Sequence, residues 1–237
     1  MKNTLSVFKN QFNAFRPDKF QLLFYLVWAI VTILWPLISG LGFGEAEYWD
    51  YPRQIAPALG LIVAGGLTIW IFASTVTKHA ENGDLFRVKL SAYLLGVGGF
   101  YLVLNVMMAI FIALVGTLAG FALVNYVLIL ALTTICTMFI GAIIGILSHN
   151  SKMALQISYP IGLVFVMLFK FRNGIPAFQM INPIRSYINW FYMERVNHML
   201  VDVYTGLMIS DVMVLLGNII VLGLIFVVLF KFKVKSD

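Results

Sequence analysis

Residues 75–92 read TVTKHAENGDLFRVKLSA and form a short charged segment between two long apolar runs. Each apolar run is long enough to cross a bilayer as one helix of about 20 residues. The charged segment between them is therefore expected to lie in water at one membrane surface. Its length and its mixture of charged and apolar residues favour a small structured element over a simple turn.

The composition of the whole chain is that of a membrane protein. Its 237 residues are 61% hydrophobic and only 11% charged, whereas a soluble domain carries about 25% charged residues. We expect a single transmembrane domain over residues 1–237, multi-pass in the cell membrane. The net charge of +6 comes from basic residues near helix ends, so it predicts topology and gives no support for a nucleic-acid partner.

The hydropathy pattern predicts an all-α integral membrane fold with six spanning helices. The predicted spans cover residues 20–41, 56–76, 93–115, 119–147, 154–169 and 212–232. The fifth is the shortest, and Pro160 is expected to interrupt it. With both termini in the cytoplasm, most of the 16 lysines and arginines fall on inner segments, which is the orientation that the positive-inside rule favours.

Two further segments are predicted to lie along the membrane surfaces. Residues 5–16 carry leucine and phenylalanine at helical spacing beside basic residues, which predicts an amphipathic helix in the inner interface. Residues 170–211 are too polar to span but rich in tyrosine and tryptophan. This pattern predicts short helices at the outer surface before the last span.

The sequence carries no motif of an ATP-binding or hydrolytic protein. It has no GxxxxGK[ST] phosphate loop, no HExxH and no GxSxG. All ten acidic residues and all three histidines fall in predicted loops or at helix ends, which argues against an ion-coupled carrier with buried carboxylates. His79, Glu81 and Asp84 match no known metal-site spacing, so we expect neither metal nor cofactor in this chain.

Small and uncharged polar residues occur within the predicted spans. Gly141 and Gly145 form a GxxxG motif, which is typical of close packing within a chain or of a contact between two copies. The uncharged polar residues either line a substrate pathway or form hydrogen bonds between helices. This set comprises Asn105, Asn125, Thr133, Thr134 and Thr137.

The order of these elements resembles the membrane subunits of ABC exporters of the ABC-2 type, also called type V. Those subunits have an inner amphipathic elbow helix, six spans, a cytoplasmic coupling helix between the second and third spans, and short outer helices before the last. The matching segments here are LSVFKNQFNAFR, TKHAENGDLFRVKLSAYLLG and IPAFQMINPIRSYINWF. The residues that loosely match family positions are Glu81, Gly83, Leu85, Ser91 and Gly96, with Asn182–Pro183 resembling a turn before that family's last span.

The resemblance implies an exporter permease that moves an amphipathic or hydrophobic substrate. A peptide or toxin is favoured, in an export or immunity role, and a drug or a lipid-linked compound is an alternative. Two permease copies or paralogues would pair, and separate ABC ATPase subunits that bind ATP and Mg would dock beneath them on residues 77–92. The expected coupling residues, on a short helix over 83–90, are Glu81, Gly83, Leu85, Phe86 and Arg87.

Within that coupling helix, the residues expected to be buried against the ATPase are Leu85, Phe86 and Val88, and the polar rim of the contact is expected to hold Arg87 and Lys89. The chain itself is not expected to be an enzyme, since ATP hydrolysis belongs to the partner subunit. Two other classes remain open. One is a membrane enzyme that acts on lipid, using Glu194, His198 and Asp202. The other is an ion-coupled secondary carrier.

Overall fold

The structure is a computed structural model, which describes residues 59–115, 117–174 and 206–236 and scattered residues within 6–34 and 195–204. In this part of the chain the regular secondary structure is helical, without strands. Most of the predicted inner helix 5–16, of the first span 20–41 and of the outer segment 170–211 lies outside the described residues.

Four helices among the described residues are long and apolar enough to cross a membrane. They are α1 (Leu59–Glu81), α3 (Leu90–Val115), α4 (Gly120–Leu147) and α6 (Ile209–Ser236). Between them lie the one-turn helix α2 (Asp84–Arg87) and the 24-residue helix α5 (Ser151–Gly174). The described part of the chain is therefore helical, with four helices able to span a membrane, as the composition predicts, while the count of six spans stays a prediction.

Two helices differ from their predicted form. Helix α1 continues to Glu81, beyond the predicted end at residue 76, because Thr77 is buried and its hydroxyl donates to the carbonyl of Gly145 at 3.0 Å. Helix α5 runs through Pro160, so the expectation that this proline interrupts it is wrong. A membrane helix tolerates the missing N–H when neighbouring helices support it.

Helices α1 and α3 run antiparallel, and side-chain hydrogen bonds join them at several levels. The hydroxyls of Thr75 and Tyr101 are 3.0 Å apart in the buried interior. Closer to the end of α1, Nδ1 of His79 and the hydroxyl of Tyr93 are 2.9 Å apart. These pairs fix the start of α3 against the end of α1.

Helices α1 and α4 run parallel, and their backbones touch at the GxxxG motif. A Cβ atom on Gly141 would lie 2.8 Å from the carbonyl oxygen of Ile69, and one on Gly145 would lie 2.8 Å from the carbonyl oxygen of Ala73. Only glycine fits at such an approach. In this structure the motif therefore packs α4 against α1 within one chain.

Residues Ile62–Leu67 of α1 form a π-helical segment. In a π turn the regular hydrogen-bond ladder is disrupted, so carbonyl groups become available to side chains. The hydroxyl of Thr137 on α4 donates to the Ala64 carbonyl at 2.6 Å, and the hydroxyl of Thr68 donates to the Val63 carbonyl at 2.9 Å. The π segment is thus held by hydrogen bonds to α4 and within α1.

Helix α1 is the most buried of the four long apolar helices. Helices α3, α4 and α5 all pack on it, and a Cβ atom on Gly162 of α5 would lie 3.0 Å from the carbonyl oxygen of Gly66. The most apolar window of α1 is 83% buried, compared with 11% for α6. Helix α6 therefore presents most of its apolar side chains to the surroundings of the bundle, which for a membrane protein are lipid.

These helix directions place residues 82–89 and 148–150 at one end of the bundle. At the opposite end, the amide of Asn125 donates to the Val203 carbonyl at 3.1 Å. Helix α6 begins there, and Asp211 in its first turn is only 2% exposed and pairs with Arg195 at 2.9 Å. A carboxylate in the first turn of a helix is also stabilised by the helix dipole.

The α1–α4 contact predicts a large effect of a small substitution. Gly145→Ala is expected to lower the free energy of unfolding by about 1–3 kcal/mol, because the new methyl group overlaps the Ala73 carbonyl and the Val76 side chain. Gly217→Ala in α6 is the matched control, since a Cβ atom there meets nothing within 4 Å. Thermal unfolding in detergent measures both, and an unchanged Gly145→Ala variant would contradict the contact.

Candidate functional site

The connection between α1 and α3, residues 82–89 and hereafter the α1–α3 turn, has a glycine as its second residue. Gly83 has φ of +72°, a left-handed conformation that glycine adopts without a steric penalty. Its N–H donates to the Ala80 carbonyl at 3.0 Å, which closes the end of α1. The chain then reverses and enters α2.

Helix α2 is shorter than the predicted helix over 83–90. It ends at Arg87, because Val88 is extended with φ of −116° and ψ of 147°. Helix α3 starts at Leu90 and passes through a second π-helical segment, Leu94–Gly98, in which Gly96 is buried. The α1–α3 turn therefore consists of one helical turn followed by two extended residues.

Leu85 holds α2 against the rest of the chain. Its side chain is 0% exposed and belongs to the hydrophobic core that the long helices share. A helix of four residues is not stable by itself, so this burial is what keeps α2 in place. The structure buries the Leu85 side chain inside its own chain, and its contact with an ATPase stays a prediction.

The polar residues of the α1–α3 turn and its flanks face outward. The exposed ones are Lys78, Glu81, Asn82, Asp84, Lys89 and Ser91. The backbones of Phe86 and Arg87 belong to α2, while their side chains lie outside the described part of the structure. The surface described at this end of the bundle is thus polar and carries both signs of charge.

Glu81, the last residue of α1, connects the end of that helix to the start of α5. Its Oε1 accepts a hydrogen bond from the backbone N–H of Ser151 at 3.0 Å, and its Oε2 accepts one from the Ser151 hydroxyl at 3.0 Å. Beside them, the Asn150 side chain accepts a hydrogen bond from the Met153 N–H at 2.8 Å. These acceptors satisfy N–H groups that the start of a helix leaves without an intrahelical partner.

Sequence reasoning identified Glu81 but missed Asn150 and Ser151. The signal for a helix start is present, since Asn and Ser directly precede an apolar-periodic run. What the sequence does not show is that a carboxylate 70 positions earlier reaches the same helix start.

His79 lies on the other side of the same helix end. Its ring packs edge-on against Tyr93 with centroids 5.6 Å apart, in addition to the hydrogen bond between them. His79 and Glu81 therefore have different partners, on α3 and α5 respectively. Among the described residues no three His, Cys, Asp or Glu side chains converge in a way that would hold a metal ion.

The uncharged polar residues of the spans lie inside the bundle. Asn105, Asn125, Thr133, Thr134 and Thr137 are each at most 4% exposed. The hydroxyls of Thr133 and Thr134 donate to carbonyls one turn earlier, at 2.7 and 2.8 Å. Asn125 and Thr137 bond to other segments, as described above. In this conformation these two side chains therefore link different segments of the bundle.

Comparison with known proteins finds no family model that matches the chain, and no curated protein matches it. Its function is therefore inferred from its own residues and from their arrangement.

The burial of Leu85 leads to a stability prediction. Leu85→Ala is expected to lower the free energy of unfolding by about 2–5 kcal/mol, because it leaves a cavity beneath α2. Leu95→Ala is the matched control, since Leu95 is 65% exposed and its truncation opens no cavity. Thermal unfolding in detergent measures the two variants side by side. Equal melting temperatures would contradict the anchoring of α2 by Leu85.

Proposed function

We propose that this chain is the membrane permease subunit of an ATP-driven ABC exporter of the ABC-2 type, on which a separate ATPase docks at the α1–α3 turn. The observation that carries the proposal is the construction of that turn. Its apolar residue Leu85 is buried in the bundle while the polar residues around it are exposed. A connection that only joined two spans would need neither a helix nor an anchor.

The anchored turn is suited to transmit a mechanical push. It continues directly into α1 and α3, and Glu81 bonds to the start of α5. A displacement of α2 would therefore be transmitted to α1, α3 and α5, of which α1 is the most buried. Rigid elements that move as units are the usual means by which a small change at one site alters the arrangement of helices elsewhere.

The described interior supports an external energy source. Its buried polar residues are threonines, serines and asparagines, apart from Asp211, whose carboxylate pairs with Arg195. Ion-coupled carriers generally use buried ionisable groups as binding sites for the coupling ion. Energy from a partner ATPase fits this neutral interior better than proton coupling does.

The remaining parts of the proposal follow from the resemblance of the sequence to ABC-2 permease subunits. The substrate is an amphipathic or hydrophobic molecule, with a peptide or toxin favoured, and the working unit contains two permease copies or paralogues in the cell membrane. Both termini and the α1–α3 turn are cytoplasmic. ATP and Mg bind to the ATPase, so this chain performs no hydrolysis of its own.

Copurification and reconstitution test the proposal. The tagged chain is extracted from its native membrane in mild detergent, bound P-loop ATPases are identified by mass spectrometry, and ATP hydrolysis is measured after reconstitution into liposomes. We expect Asp84→Lys and Lys89→Glu to weaken ATPase binding by roughly 10-fold, because both reverse exposed charges at the docking surface.

The control is Lys231→Glu, an equal reversal of an exposed charge near the end of α6. We expect it to leave binding of the ATPase unchanged. If no ATPase copurifies, or if the variants of the α1–α3 turn bind as well as this control does, the proposal is wrong. Substrate uptake driven by an ion gradient without ATP would instead support a secondary carrier.

A further inference from the structure

We infer that Glu81 and Ser151 form a clasp that makes the α1–α3 turn and the first turn of α5 move as one body. Glu81 is then a positioning residue for α5, although the resemblance to ABC-2 permeases implies that it contacts a partner. The role of the clasp in transport rests on the proposed function, whereas its existence is tested on the purified chain alone.

The geometry of the clasp is that of a carboxylate held by two donors on one residue. One oxygen of Glu81 takes the backbone N–H of Ser151 and the other takes its hydroxyl, both at 3.0 Å. Hydrogen bonds to an ionised acceptor are stronger than those between neutral groups. The start of a helix also favours a negative charge through its unpaired N–H groups and its dipole.

Helix α5 already has a local N-cap, so the hydrogen bonds to Glu81 are not needed to start the helix. Asn150 accepts the N–H of Met153 at 2.8 Å, as an N-cap residue does. The bond from Glu81 is therefore an additional link, and it comes from a helix 70 positions earlier in the chain. Its effect is to join the end of α1 to the start of α5.

The clasp also completes the attachment of α5 to α1. Near the opposite end of α1, Gly162 lies in backbone contact with Gly66. At the other end, the clasp joins Ser151 to Glu81. Because α5 is held to α1 at both levels, it is carried along when the α1–α3 turn is displaced. We therefore assign to the clasp the transfer of motion from α2 to α5.

Hydrogen exchange on the purified full chain in detergent tests the clasp directly. In Glu81→Ala we expect amide exchange in a peptide covering residues 149–156 to become roughly 10-fold faster, because the Ser151 N–H loses its acceptor and the first turn of α5 frays. We expect a smaller increase in Ser151→Ala, which removes only the hydroxyl bond, and wild-type exchange in Ser151→Thr. Asp84→Ala is the matched control, because Asp84 is an exposed acid in the α1–α3 turn that does not bond to Ser151.

A double variant separates the clasp from a general loss of stability. Glu81→Ala combined with Ser151→Ala is expected to exchange no faster than Glu81→Ala alone, because the two changes remove one shared interaction. Additive effects of the two substitutions, or unchanged exchange in Glu81→Ala, would overturn the clasp. Either result would leave the docking proposal intact, since that rests on the anchoring of the α1–α3 turn by Leu85 and is tested at Asp84 and Lys89.

With a bound ATPase, the clasp predicts uncoupling. Glu81→Ala is expected to retain ATP hydrolysis and ATPase binding while losing most substrate transport in liposomes, whereas Ser151→Thr is expected to retain both. Loss of ATPase binding in Glu81→Ala would show that Glu81 contacts the partner and would overturn its role as a positioning residue.

Discussion

The close approach of α4 to α1 at Gly141 and Gly145 is the constraint on which the rest of the described structure depends. In lipid, helices gain little from hydrophobic burial against each other, so packing and hydrogen bonds decide which of them associate. The glycines bring the two backbones into contact. The hydroxyls of Thr77 and Thr137 then reach carbonyls on the opposite helix at 3.0 and 2.6 Å.

The parallel packing of α1 and α4 determines where the polar ends meet. Because both helices end at the same side of the bundle, the α1–α3 turn lies beside the connection between α4 and α5. Glu81 is thereby brought within hydrogen-bond distance of Ser151. Helix α1, the most buried of the long helices, leads directly into the α1–α3 turn. A partner bound at the turn would therefore act on the interior of the bundle.

Hydropathy was sufficient to predict the helical class and the approximate positions of the described spans. The reason is that a run of about 20 apolar residues is stable in the bilayer as a helix. It did not predict that α1 continues to Glu81, since Thr77 is kept buried by a carbonyl on another helix. The burial of Leu85 inside its own chain was not predicted for a related reason. An apolar residue in a polar turn predicts burial but does not specify whether its own chain or a partner buries it. Ser151, which bonds to Glu81, lies 70 positions away in sequence, so only the tertiary arrangement reveals this pair.

The most direct test of this arrangement is the accessibility of single cysteines to a membrane-impermeant maleimide. In a Cys136→Ala background, three exposed positions are replaced one at a time, Lys89→Cys, Lys152→Cys and Ala119→Cys. We expect the first two variants to be labelled in inside-out vesicles only, and Ala119→Cys in intact cells only. Labelling of Lys89→Cys and Lys152→Cys from opposite sides, or of Lys89→Cys from outside the cell, would contradict a cytoplasmic α1–α3 turn joined to the start of α5.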